Sequence, residues 1–196
     1  LGKKLLITGG GRCNVTNNKP DTRAMLSRYK GSDQFLSSAF AQFSVKNALA
    51  FFNSRGMATK EENEGRIFPT SNKSKSVLDV LTNYMNKGGV KIRTGVHVAA
   101  LLVHPKTRHI IVKTKDKKEI IAKSCVVATG GISRPETGST GEGVLWLKKI
   151  GHTIVENDFA LVPIALSDTW ARKLGGVTLK DIKLTAFQNG QRQTRA

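Results

Sequence analysis

Cysteine is scarce in this chain: two among 196 residues, Cys13 and Cys125, in unrelated surroundings. Two cysteines cannot build a disulfide framework, and such sparse use suits a reducing compartment, so the cytoplasm is the expected location. Aromatic residues make up only 6%, too few for the interleaved rings and cations on which single-stranded nucleic acid stacks. Proline is confined to five positions, and no Pro- or Ser-rich linker, internal repeat or low-complexity tract interrupts the chain. No apolar run approaches the roughly 20 residues that a helix needs to cross a bilayer. Acidic residues are the last deficit: 14 against 32 lysines and arginines give a formal charge of +18. The basic residues are scattered, through Lys3/Lys4, Lys73/Lys75, Lys113–Lys118 and Lys148/Lys149, with no run that makes a basic tail. A charge of this size fits a solvated lysine-rich surface or a polyanion partner. The scatter and the low aromatic content favour the surface, and nucleic acid is not the expected partner.

What is present is glycine in the right places. Residues 8–17 read Thr8-Gly9-Gly10-Gly11-Arg12-Cys13-Asn14-Val15-Thr16-Asn17, entered from the apolar run Leu5-Leu6-Ile7. Three glycines let backbone N–H groups approach a phosphate or a planar ring directly. Arg12 adds a positive fork, and Asn14, Thr16 and Asn17 add short hydrogen-bonding groups. The loop is not a Walker motif, because no Gly-Lys-Ser/Thr follows at the right spacing. It is not a GxGxxG fingerprint either, because Asn14 stands at the third glycine position.

Hydrophobic residues form 39% of the chain, grouped in runs that specify an α/β fold. Residues 18–31 are polar and read as irregular. Phe35, Leu36, Ala39, Phe40 and Phe43 recur at helical spacing behind a Ser32 or Asp33 cap; Val45, Ala48, Leu49 and Phe52 do so behind Ser44. Pro69 bars helix at Phe68. Val77, Leu78, Leu81 and Tyr84 mark one face of a further helix, ended by Gly88-Gly89. Val90-Lys91-Ile92 reads as a short strand. Val96–Val103, His109–Thr114 and Glu119–Ala122 read as a three-stranded meander, turned at Pro105-Lys106-Thr107 and Lys115–Lys118. Cys125-Val126-Val127-Ala128-Thr129-Gly130-Gly131 has the continuous apolar character of a parallel strand covered on both faces, ending in paired glycines. Both glycine loops are expected at the carboxyl ends of strands, where open α/β sheets collect ligands. A second glycine-rich turn, Thr137–Gly143, opens a helix over about 142–150 with Ser139 or Thr140 as cap and Gly151 beyond it. Leu161-Val162-Pro163 leads away, and a β-rich segment begins near Trp170. Its Asn189-Gly190 turn promises a return strand. The chain starts without methionine and stops soon after that turn, as expected of an internal piece of a longer protein.

Hydrolytic and metal chemistry find little support. His97, His104, His109 and His152 lack ligand spacing. Glu61, Glu62 and Glu64 read as a solvated acidic patch. Cys13 beside Arg12 is either a reactive thiol or a small packed residue, and the second fits better without a resolving cysteine nearby. With no acid–base pair in view, the chemistry is expected to come from a bound cofactor.

The run Gly2-Lys3-Lys4-Leu5-Leu6-Ile7 and the loop after it resemble the hallmark of a bacterial flavoprotein family, the BaiN-type or aminoacetone-oxidase-type NAD(P)/FAD-dependent oxidoreductases. Gly65-Arg66-Ile67-Phe68-Pro69 agrees, as do Ala128-Thr129-Gly130-Gly131-Ile132-Ser133 with Pro135, Thr137–Gly141 through Gly151-His152, and Ala160–Pro163. The resemblance implies an α/β, glutathione-reductase-like FAD-binding domain over residues 1–165, missing its first β-α-β unit, then the start of an inserted β-rich domain over 166–196. It implies FAD, with NAD(P)H as a possible reductant, and a small-molecule substrate. The residues it assigns to the cofactor are Lys4, Thr8, Gly9, Gly10, Gly11, Arg12, Cys13, Asn14, Val98, Thr129, Gly130 and Gly131, with the Arg12 loop near the flavin ring. Residues 1–196 alone are expected to hold FAD weakly and to be inactive. Arg134, Val144 and Phe159 depart from the family pattern on the substrate side. A basic nucleic-acid-binding module and an FAD-binding scaffold without turnover are the alternatives.

Overall fold

Leu5, Leu6 and Ile7 coil before the glycines turn the chain. Helix α1 (Lys3–Gly11) is regular only as far as Ile7; Thr8 is extended (ψ 150°), and Gly9 and Gly10 are left-handed (φ 55° and 64°). The structure is a computed structural model that describes residues 1–19, 21–29, 31–155, 167–174, 177 and 185–193. Its two compact units are Leu1–Ile154 and Val155–Ala196.

In the first unit, β1 (Thr16–Asn17), β2 (Thr59–Glu62) and β3 (Arg66–Pro69) form an antiparallel sheet in the order β1-β3-β2. Thr16 lies opposite Ile67, and Lys60 opposite Phe68. Between β1 and β2 run α2 (Thr22–Leu26), α3 (Asp33–Gln42) and α4 (Val45–Asn53). The short α2 corrects the irregular reading of residues 18–31: Asp21 accepts the Arg23 N–H at 3.0 Å as its cap, and Met25 supplies a buried anchor. Ser32 makes no side-chain cap to α3, and Phe35 stays 86% exposed. Ser44 caps α4 as expected, in a reciprocal box with Asn47.

Helix α5 (Ser74–Lys87) buries Val77 and Val80 and ends at Gly88. With Met57 these valines form the core, against which Leu5, Cys13, Val15, Phe51, Phe52 and Leu81 pack. Each such burial contributes roughly 1.5–3 kcal/mol. The buried Ser74 hydroxyl donates to the Leu6 carbonyl at 2.9 Å, tying α5 to α1. Val90–Ile92 is not a strand, because the Val90 N–H closes the last turn of α5 on Met85 O at 3.0 Å.

The meander is as expected: β4 (Val98–Val103), β5 (Ile110–Thr114) and β6 (Glu119–Ala122) pair antiparallel in sequence order, with an irregularity between Val98 and Ala100. In its second turn Asp116 binds Lys118 and the buried Thr114 hydroxyl, which hold its carboxyl down to about 2.

The segment after the meander corrects the reading most. Cys125–Thr129 is not a strand, and Val126 is 90% exposed. A parallel strand needs a ladder on its edges and cover on its faces; among the described residues no backbone bonds run alongside these positions. The helix that follows, α6 (Glu142–Lys149), starts from Gly141, not from Ser139 or Thr140. The cap position is left-handed (φ 78°), which favours glycine, and Thr140 Oγ1 donates instead to the Glu142 carboxylate at 2.9 Å.

The second unit has a short 3-10 turn at Trp170–Leu174 and a hairpin of β7 (Phe187–Gln188) and β8 (Gln191–Arg192). Asn189 (φ 52°) and Gly190 (φ 74°) are both left-handed, the type I′ pattern that such a two-residue loop requires. The return strand promised by Asn-Gly is present. Ala160–Pro163, Phe159 and the expected boundary at 165/166 lie outside the described residues.

Candidate functional site

The glycine-rich turn is shaped from inside and open outside. Thr8 Oγ1 donates back to Leu5 O at 2.7 Å, and the Cys13 N–H closes the turn on Thr8 O at 3.0 Å. Thr8, Gly9, Gly10 and Asn14 are exposed, and Gly11 is half-buried. At Gly9 a β-carbon would stand 2.9 Å from the Asn14 backbone nitrogen and 3.3 Å from Phe68 Cε1, so only glycine lets the chain fold back on itself there. Cys13 is left-handed (φ 59°), half-buried, and packed against the Met57–Val77–Val80 core. It is the small packed residue of the two readings.

Arg12 is held on two sides. Its Nη1 donates to both oxygens of Glu62 at 2.9 Å, and its guanidinium carbon lies 4.0 Å from the centre of the Phe68 ring. Glu62 also meets Lys60 Nζ at 3.0 Å. Lys60 first and Arg12 second hold the Glu62 carboxyl below its ordinary value. It is therefore ionised at neutral pH, and the three residues carry one net positive charge beside the glycines. Glu61 and Glu64 are exposed, as the solvated reading of the patch expects, whereas Glu62 is half-buried and paired. Glu61 accepts from Asn18 Nδ2 at 2.7 Å, and the backbone carbonyl of Glu64 accepts from Asn17 Nδ2 at 2.8 Å. Asn17 Oδ1 is buried and has no hydrogen-bond partner among the described residues.

A lowered carboxyl value gives pH dependence a sign. The Lys60–Glu62–Arg12 pairing contributes to stability in full above about pH 4.5, the ordinary value of the group, and is lost as pH falls through the lower folded value. Thermal unfolding followed from pH 6 down to pH 3 is expected to lose part of its acid sensitivity in Glu62→Gln. An unchanged acid limb would show that the pairing does not hold the turn.

Thr129, Gly130 and Gly131 are exposed and lie against the start of α6. A β-carbon on Gly130 would meet the buried Ser139 Oγ at 2.8 Å, and one on Gly143 would meet Thr129 Oγ1 at 2.1 Å and Val127 Cγ1 at 3.1 Å. The N–H groups of Gly130 and Gly131 have no backbone partner among the described residues. Lys4 connects the two loops: its ammonium donates to the Ser133 carbonyl, one helical turn before Thr8. Val98 lies in the meander. It opens β4 opposite Thr114, and its sheet reaches the second loop through α6, which packs on β4.

Lys4 thus links the Thr8–Asn14 turn to the segment that follows Thr129–Gly131. Sequence reading missed Glu62, Phe68, Ser133 and Gly143 as parts of the site. Phe68 and Ser133 carried a signal as members of the Gly65–Pro69 and Ala128–Ser133 motifs, and Gly143 as the end of the Thr137–Gly143 turn. Among the described residues no cluster of His, Cys, Asp and Glu could hold a metal ion. His104 is occupied within its turn, where its Nδ1 accepts from the Thr107 N–H at 3.1 Å. No helix among the described residues is long and apolar enough to cross a membrane.

Exposed left-handed glycines, a second glycine pair whose N–H groups have no backbone partner among the described residues, and a carbonyl-bound lysine fit a large polar cofactor. Comparison with known proteins agrees. The family profile described as HI0933-like protein Rossmann domain matches residues 1–193. Among curated relatives, the 3-dehydro-bile acid delta(4,6)-reductase of Clostridium scindens is 35% identical over 97% of this chain and 45% of its own length. The ribosomal RNA dihydrouridine synthase of Escherichia coli is 28% identical over 84% of this chain and 40% of its own. That of Haemophilus influenzae is 27% identical over 95% and 46%. The chain spans less than half the length of each of these relatives.

Proposed function

Because the chain belongs to the HI0933-like Rossmann-domain family, we propose that it builds the cofactor cradle of an FAD-dependent reductase that saturates a carbon–carbon double bond. The reading rests most on the pair of open glycine loops joined through Lys4 and Ser133. The names of the relatives support the reaction class, since a delta(4,6)-reductase and a dihydrouridine synthase both add two hydrogens across such a bond. NAD(P)H is the proposed reductant, the cytoplasm the proposed location, and a glutathione-reductase-like FAD domain over 1–165, followed by an inserted β-rich domain from 166, the proposed architecture.

Lys4, Thr8, Gly9, Gly10, Gly11, Arg12, Cys13, Asn14, Thr129, Gly130 and Gly131 would hold FAD, with Val98 as a more distant contact. FAD, when bound, supplies the hydride chemistry. The chain's own residues orient and polarise. The glycines present N–H groups with no side chain in the way. Arg12 keeps its Nη2 and Nε without a partner among the described residues, so a fixed cation faces outward while Glu62 holds its plane. Glu62 is ionised and holds no proton to give, so its part is to position Arg12.

Expressed at its native length and purified, the protein is expected to show flavin absorption in the visible, bleached by NADH or NADPH. A colourless protein that takes up no added FAD would overturn the reading. Flavin that neither nucleotide bleaches would support the scaffold alternative.

A second reading concerns the substrate. The relative named as a bile-acid reductase supports a small-molecule substrate; the charge of +18 and the two relatives named for ribosomal RNA support a uridine within RNA as the alternative. It predicts RNA affinity that falls steeply with salt, because each neutralised phosphate releases counterions.

A further inference from the structure

Away from the glycine loops, the end of α4 and the end of α5 enclose a cleft of about 960 Å³. Ser54, Arg55, Asn83, Tyr84, Asn86 and Lys87 line it, and no carboxylate is among its lining residues. Arg55 is set into an aromatic corner: Phe51 and Tyr84 meet edge to face at 5.1 Å, and the guanidinium carbon lies 4.0 Å and 4.5 Å from their centres. Its Nη1 donates to Phe51 O at 2.9 Å and Ser54 Oγ at 3.2 Å. Nη2 and Nε have no partner among the described residues, and Arg55 forms no ion pair there. A helix C-terminus ordinarily repels anions through its free carbonyls. Here the carbonyls of Tyr84, Met85 and Asn86 accept from Gly88, Val90 and Gly89, so the cleft presents side-chain donors instead. A recess of about 440 Å³ shares Arg55 and Asn83 and adds the hydroxyls of Thr70, Ser71 and Ser76; its one carboxylate, Asp79, is paired with Lys75.

A guanidinium stacked on two rings keeps little freedom that an oxyanion would still have to restrain, and its fork suits phosphate oxygens. We propose that this cleft binds a backbone phosphate of RNA, with Arg55 as the anchoring cation and Asn83, Asn86 and Lys87 around it. The proposal rests on the RNA reading above. Such a contact positions the strand and reads no base.

The test is equilibrium binding of a fluorescent ribosomal RNA fragment to the full-length protein across a series of potassium chloride concentrations. Arg55→Gln is expected to weaken binding about equally for different RNA sequences. It is also expected to lower the slope of log affinity against log salt by about 0.7–0.9, the value of one phosphate contact. Arg55→Lys keeps the charge and is expected to keep the slope with a weaker affinity, which separates loss of the contact from loss of the fold. Lys106→Gln, in the β4–β5 turn, is the control and is expected to match the parent. Parental binding with Arg55→Gln unchanged would overturn the site and leave the RNA reading standing. Parental protein without salt-dependent RNA binding would overturn both.

Discussion

Gly143→Val is expected to abolish the proposed FAD binding and to lower stability by about 2–4 kcal/mol. Gly143 is buried in the first turn of α6, with no left-handed φ to protect, so backbone strain has no part in the effect. A β-carbon there would sit 2.1 Å from Thr129 Oγ1, 3.1 Å from Val127 Cγ1 and 3.2 Å from Thr129 Cβ. The hydroxyl can swing away, but the other two atoms belong to the loop itself. The loop that carries Gly130 and Gly131 must therefore shift. Two effects compete in the milder Gly143→Ala. Alanine favours the helix by roughly 1 kcal/mol over glycine, whereas overfilling costs roughly 1–3 kcal/mol; the close contacts decide for a net loss. Adding Thr129→Ala removes the atom at 2.1 Å and is expected to restore part of the stability. Urea unfolding of the two single variants and the double variant gives the coupling directly. Additive losses would mean that α6 and the loop are not packed as described.

Gly9→Asn is expected to be severe where Gly10→Asn is mild. Both positions are left-handed, at φ 55° and 64°, and asparagine tolerates that region better than most residues. The surroundings separate them. Nothing lies within 4 Å of a β-carbon at Gly10, whereas at Gly9 the Asn14 backbone nitrogen lies at 2.9 Å and cannot rotate aside. Displacing that nitrogen disturbs Cys13 and Arg12 beside it, hence the core contact and the stack on Phe68. The expected loss at Gly9 is about 2–4 kcal/mol against less than about 1 kcal/mol at Gly10. In a chain of this size that separates the two melting temperatures by roughly 5–10 °C. FAD titration should follow the same order. Equal behaviour at the two sites would refute the close fold-back at Gly9.

What could be read in advance follows from the range of the forces. Ser44 and Asn47 satisfy each other three residues apart, Asn189-Gly190 carries its own turn geometry, and the meander alternates within each strand; all three were legible in the sequence. The family resemblance was legible as well, because the motifs keep their order along the chain. Cys125–Thr129 was misread because an apolar run states what a strand wants, not whether a neighbour is there to pair with it. Gly141 displaced Ser139 and Thr140 as cap through a left-handed angle that no composition reveals. Glu62 was taken for a solvated charge because its partners are Lys60, two residues away, and Arg12, which reaches it only through the sheet. For the same reason Gly143 gave no sign of its contact with Thr129.

The first glycine loop closes its own turn over three to five residues, but the bonds that tie it to the rest of the fold span long stretches of chain. Arg12 and Glu62 are 50 residues apart, Asn17 and Glu64 are 47, and Leu6 and Ser74 are 68. Closing spans of that length is slow compared with coiling α4 or α5 and must precede any reward from the contacts. During synthesis the turn itself can close early, but it lacks its distant partners until β3 and the start of α5 have followed. The cradle is then a late product of folding, and a cofactor present while the chain is being made would meet its site only after the surrounding core has set.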